Sequence, residues 1–203
     1  STISENTFGI SLHGSAQADI TNSVISKNKF SISLGDSAQA RITNSMIFEN
    51  FIITVDGRQA GGIGLSNSAR AEITNSTISR NGSGIDLSDQ AQAKITNSII
   101  SENRFGINFY GSAQAEITTS TISENEVSGI VLFHSAQAKI TNSTISRNGQ
   151  DGIVLLYSAQ ATISGSIISK NRHGIRLPGS AQATISGSTI SENLGDGIWL
   201  YGS

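Results

Sequence analysis

Cysteine is absent from the chain, which excludes a disulfide framework, a thiolate metal site and a thiol nucleophile. Proline occurs once and aromatic residues make up only 5%. Charge is sparse and nearly balanced, with a formal net charge of -2, so there is no basic field for nucleic acid or anionic lipid. No apolar run approaches the roughly 18 residues of a membrane-spanning helix. No segment carries a 3.6-residue apolar period. The expectation is a chain without nucleic-acid partners, membrane insertion, cofactor or resident metal.

What is present is one unit, STISENTFGISLHGSAQADITN, repeated with light variation to the last residue. Copies begin at Ser1, Ser23, Ser45, Ser76, Ser98, Ser120, Ser143, Ser166 and Ser188. Successive starts lie 22 or 23 residues apart, except that the third copy is stretched to 31. A period in the twenties marks a solenoid, whose units stack because none can bury a core alone. The boundaries expected are a single domain over 1–203 with a loop insertion at about 51–62, where Asp56-Gly57 reads as a turn. The chain starts and stops in mid-pattern without an initiator Met, so it is expected to be a piece of something longer. Its open ends would expose strand edges, making end-to-end self-association an expected hazard.

Each unit contains three short runs of period-two alternation, T-I-S, G-I-x-L and A-x-A-x-I, separated by turn residues. Period two puts one face of each run inside. The first run aligns Ile3, Ile25, Ile47, Ile78, Ile100, Ile122, Ile145, Ile168 and Ile190 in one column. The predicted fold is therefore all-β, about nine rungs of three short strands, standing roughly 40 Å tall at about 4.8 Å per rung. The residue closing each unit is Asn or Gly, the types that tolerate positive φ, with Thr119 the misfit. A second column, from Asn6 to Asn193, is unbroken and predicts an asparagine ladder bonded between rungs.

The pattern I-x-x-N-x-x-x-G-I-x-L…I, with Asn or Gly in the short turn, resembles the right-handed parallel β-helix repeat of the pectin-lyase-like superfamily across the whole chain. The resemblance implies the fold and an extracellular or cell-surface location. It does not choose an activity, because the superfamily includes pectate lyases, polygalacturonases, epimerases, phage tailspikes and non-catalytic surface proteins. The family's lyase and polygalacturonase motifs (paired Asp, Gly-His-Gly, or an Arg-x-x-Lys cluster) are not found here.

On the outside, Asp19, Arg41, Glu72, Lys94, Glu116 and Lys139 alternate in sign from rung to rung, which favours one register. A Gln column beside it reads as structural. The informative surface is the outward side of the G-I-x-L strand. Its first four rungs are small and polar. Its last five pair Asn108 with Tyr110, Val131 with Phe133, Val154 with Leu156, Arg176 with Pro178 and Trp199 with Tyr201. A contiguous exposed apolar stripe marks a binding surface. Tyr110, Phe133, Leu156, Arg176, Trp199 and Tyr201 are the ligand-binding candidates, for a polysaccharide or a protein partner.

Beside the stripe, Asp151, His173 and Asp196 precede the Gly of three successive rungs. Stacked, the carboxylates would stand about 10 Å apart, near the spacing of an inverting glycosidase pair. These three are the catalytic candidates of an alternative reading, a polysaccharide hydrolase or lyase, with Arg172 and Arg176 holding an acidic sugar. A lesser alternative is ice binding on the Thr-containing rank Thr2, Val24, Met46, Thr77, Ile99, Thr121, Thr144, Ile167 and Thr189. The favoured expectation is a non-enzymatic solenoid scaffold that binds its ligand on the G-I-x-L face.

Overall fold

The structure is a computed structural model describing residues 1–53 and 59–202. Each repeat makes one turn of a parallel β-solenoid. In the second rung the strands are Val24–Ser26, Phe30–Leu34 and Gln39–Thr43. Equivalent strands of successive rungs pair in parallel, giving sheets of nine, nine and eight strands among the described residues. The register follows the repeat residue for residue: Ile3 lies beside Ile25, and Glu72 beside Lys94. No helix occurs among the described residues. The stretched third copy departs from this pattern, with Ile52–Ile53 pairing antiparallel with Gln59–Ala60. The turn expected at Asp56-Gly57 lies outside the described residues.

The three inward columns meet in one core. Ile25, Ile47, Ile78, Ile100, Ile122, Ile145 and Ile168 are fully buried. Each such side chain is worth about 1.5–3 kcal/mol on leaving water, so the column is stable only as a stack. Phe109 takes a Leu position of the second strand and is fully buried there too. The residue before the inward Ile of that strand is Gly in most rungs, and at Gly62, Gly84, Gly106, Gly129, Gly152 and Gly174 close approach of the next rung requires it. A Cβ on Gly106 would lie 2.3 Å from the carbonyl oxygen of Gly129 and 3.0 Å from Ile122 Cγ2.

Polar groups inside the column are bonded from rung to rung. Asn28 Nδ2 donates to Asn50 Oδ1 at 3.1 Å and to the Ile3 carbonyl at 3.1 Å, and the Asn28 N–H donates to the same Oδ1 at 3.0 Å. The Ser column at the start of each rung does likewise: the Ser76 N–H donates to Ser98 Oγ at 3.2 Å. Turns close with positive φ at Asn22, Asn44, Asn75, Asn97 and Asn142, at Gly165 and Gly187, and at Thr119, whose φ is 51°. The charged column from Glu5 to Glu192 also adopts positive φ, between 53° and 61°. Asp, Asn or Gly would sit there with less strain. The turn is held by its neighbour: Asn28 Nδ2 bridges back over Lys27 to the Ser26 carbonyl at 3.0 Å.

Candidate functional site: the outer face of the second sheet

The second strand of each rung turns two side chains outward, and these build the candidate face. In the early rungs they are small or polar, as with Ser11, whose hydroxyl lies 3.0 Å from His13 Nε2. At the fifth rung Asn108 is only 4% exposed, and its Nδ2 donates to Asp86 Oδ1 at 2.9 Å. Val131 and Val154 follow at 6% and 1% exposure. This corrects the expectation that both outward positions face water in the last five rungs. Period two fixes the side from which a side chain leaves the strand, but neighbours on adjacent rungs can still cover it. The open stripe is therefore the second outward column, with half-buried Tyr110, Phe133, Leu156 and Pro178 and an exposed Tyr201. Trp199, at 39% exposure, joins it in the last rung.

The aromatic rings of this face are stacked. Tyr110 and Phe133 lie 5.0 Å apart, centroid to centroid, with planes 6° from parallel. One residue further along the chain, His134 and Tyr157 repeat the arrangement at 4.9 Å and 5°. The inner faces of each pair are consumed by the partner ring. Sequence reasoning missed His134 and Tyr157. Their signal was available: both fall in a turn column that reads Gly14, Asp36, Asn67 and Asp89 in earlier rungs, where an aromatic ring is out of place.

The three catalytic candidates are brought together in adjacent rungs. Asp151 pairs in register with His173, and the Asp196 N–H donates to His173 Nδ1 at 3.1 Å. With Nδ1 accepting, that imidazole carries its proton on Nε2, and the 3.5 Å contact from Nδ1 to Asp196 Oδ2 is not a hydrogen bond. The two carboxylates sit in unlike settings. The Asp151 side chain is 4% exposed and accepts from Arg176 Nε at 2.8 Å. The Asp196 side chain is 59% exposed. Arg176 also stands over Trp199, with Cζ 5.8 Å from the ring centroid, and His173 packs at 5.3 Å from the same ring. Arg176 is thus committed to Asp151 and Trp199. Among the described residues no group of three or more His, Cys, Asp or Glu is placed to hold a metal ion.

A concavity of about 720 Å³ runs along the outer face of the third sheet. Its walls include Gln39, Gln92 and Gln114 on one side and Arg41, Lys94 and Glu116 on the other. Arg41 reaches Asp19 at 3.5 Å and Glu72 at 3.3 Å, but all three side chains are more than half exposed, so these pairs add little. Among the described residues the Gln column makes one side-chain hydrogen bond, from Arg70 Nε to Gln92 Oε1 at 3.2 Å. The expected structural Gln ladder is therefore not bonded from rung to rung. Its amides are exposed, and water satisfies them without the geometric demand that burial places on the Asn column.

Comparison with known proteins agrees with this architecture. No curated protein matches the sequence. Among solved structures, a double mutant of the periplasmic alginate epimerase AlgG superposes with a TM-score of 0.69 at 15% identity, covering 92% of this chain. The chain spans 57% of the length of that epimerase. A single mutant of the same epimerase gives a TM-score of 0.60 at 13% identity, covering 100% of this chain and 73% of the other. PfbA, a surface adhesin of Streptococcus pneumoniae, aligns at 11% identity over 89% of this chain and 63% of its own, with a TM-score of 0.43. At these identities the likeness to the epimerase is one of fold. The family model described as the right handed beta helix region matches residues 61–203, more than half of the sequence, and the chain belongs to that family.

Proposed function

We propose that this chain is a non-catalytic β-solenoid scaffold of a secreted or cell-surface protein and binds a polysaccharide along the outer face of its second sheet. The observation that carries the reading is the stripe from Tyr110 to Tyr201, which brings two stacked ring pairs together on a nearly charge-balanced chain. Apolar side chains gathered outside the core, on a rigid parallel sheet, are ordered by the scaffold before any ligand arrives. Little entropy is then lost on binding. The likeness to a periplasmic alginate epimerase supports a polysaccharide over a protein as the ligand.

The test is equilibrium binding of the chain and its Phe133→Ala and Trp199→Ala variants to soluble polysaccharides. Both variants are expected to bind at least about tenfold more weakly, with unchanged melting temperature. Equal binding by all three proteins would remove the stripe from the site.

The catalytic reading rests on the stacking of Asp151, His173 and Asp196. Against it, the Asp151 carboxylate is turned to Arg176 and screened from solvent, the setting of a structural ion pair. If the enzyme reading holds, Asp151→Asn and Asp196→Asn abolish turnover of a bound polysaccharide. The scaffold reading predicts no turnover by the unsubstituted chain.

A further inference from the structure

We infer that the face of Tyr157 turned toward Gly179 is a stacking subsite for one pyranose ring of an uncharged polysaccharide. The inference rests on the polysaccharide reading above and locates a contact within it.

The first observation is backbone strain without a folding purpose. Tyr157 has a φ of 63° and His134 a φ of 59°. The same column holds Gly14, Asp36, Asn67, Asp89, Gly111 and Gly179 in six other rungs, all at positive φ. Those rungs show that Gly, Asp or Asn completes the turn, so the aromatic residues accept a left-handed conformation the fold does not ask of them. Nor does the core gain from them: Tyr157 is 62% exposed.

The second observation is room. One face of Tyr157 lies on His134, at 4.9 Å and 5°. Beyond its other face comes Gly179, and a Cβ built there meets nothing within 4 Å. The missing side chain leaves a slot at the level of one rung, about 4.8 Å from the Tyr157 ring along the axis. A flat ring entering it becomes the third member of the stack.

The third observation is chemistry. Leu156, Pro178 and Tyr201 border the slot, and none is charged. The nearest cation on this sheet, Arg176, is held by Asp151 at 2.8 Å. Nothing there offsets the desolvation of a uronate, whereas the apolar face of a neutral pyranose has no such cost. A peptide strand is disfavoured because the Gly179 N–H already donates to the Tyr201 carbonyl at 2.7 Å.

The experiment is isothermal titration calorimetry of the whole chain with hexasaccharides of β-1,4-linked glucose, mannose and xylose. Hexagalacturonate and a proline-rich decapeptide serve as comparators. The variants are Tyr157→Asn, which removes the ring, and Gly179→Asn, which fills the slot. Asn67 occupies the same column at a φ of 58°, so both are expected to fold. At least one neutral hexasaccharide should bind. Each Asn variant should weaken it by about tenfold or more, and Tyr157→Trp should retain it. If both Asn variants bind as the parent does while Phe133→Ala weakens binding, the subsite is wrong and the wider face stands. Binding of hexagalacturonate alone, of the decapeptide alone, or of none of these probes overturns the inference.

Discussion

Arg176 Nε donates to Asp151 Oδ2 at 2.8 Å, tying two adjacent rungs of the second sheet through a carboxylate that is 4% exposed. Removing the cation strands that carboxylate. Arg176→Ala is expected to cost about 1–3 kcal/mol, less than breaking a fully buried pair, because the arginine is itself one-third exposed. Asp151→Asn keeps an acceptor oxygen in place and should cost less. Urea denaturation of the two variants measures the difference, and equal effects would show that the pair is not what orders this corner.

Asn103 and Gln114 separate amides that hold the column from amides that only decorate it. Asn103 is 1% exposed, and its side chain donates to the Ile78 carbonyl at 3.1 Å and to Asn125 Oδ1 at 3.2 Å. Asn103→Ala removes the acceptor of the buried Asn81 N–H and a donor to the Ile78 carbonyl, and should cost about 3 kcal/mol. Gln114→Ala should stay within about 0.5 kcal/mol. Chemical denaturation of both variants under one set of conditions gives the comparison.

Two glycines of the second sheet should respond differently to one methyl group. At Gly106 a Cβ would run into the Gly129 carbonyl oxygen, whereas at Gly64 its nearest contact is the Ile32 carbonyl oxygen at 4.0 Å. Gly106→Ala is expected to lose about 1–3 kcal/mol or more through overpacking. Gly64→Ala should be close to neutral. Thermal unfolding of the two variants would contradict this account if they fell together.

Thr119 is a β-branched residue at a φ of 51°, where equivalent rungs place Asn or Gly. Thr119→Asn should therefore stabilise the chain by about 1 kcal/mol. A rise in melting temperature checks it, and a fall would mean that the threonine makes contacts that outweigh its backbone strain.

The fold was legible because the repeat carries it many times over. One inward Ile per strand, returning in every copy from Ile3 to Ile190, leaves a stacked three-strand rung as the only core available, and the observed pairing of Ile78 with Ile100 follows that alignment. The face that carries the stripe was legible for the same reason. Its detail was not. Alternation places Val131 and Val154 on the outer side but says nothing about cover from adjacent rungs, and both are buried. Tyr157 and His134 escaped because they sit in a turn, where strand periodicity has no meaning. They became visible only as aromatic intruders in a column of Gly, Asp and Asn. Asp151 and Asp196 look alike in sequence, while one is enclosed with Arg176 and the other opens to solvent.

The central claim, polysaccharide binding on the aromatic stripe, is tested most directly by a glycan array that includes neutral and uronic-acid polymers at moderate salt. It should be probed in parallel with the chain and a Tyr110→Ala, Phe133→Ala, Tyr201→Ala triple variant. The account predicts retention of the chain on at least one polysaccharide class and loss of that signal in the triple variant. A blank array, or a signal the triple variant keeps in full, would contradict it.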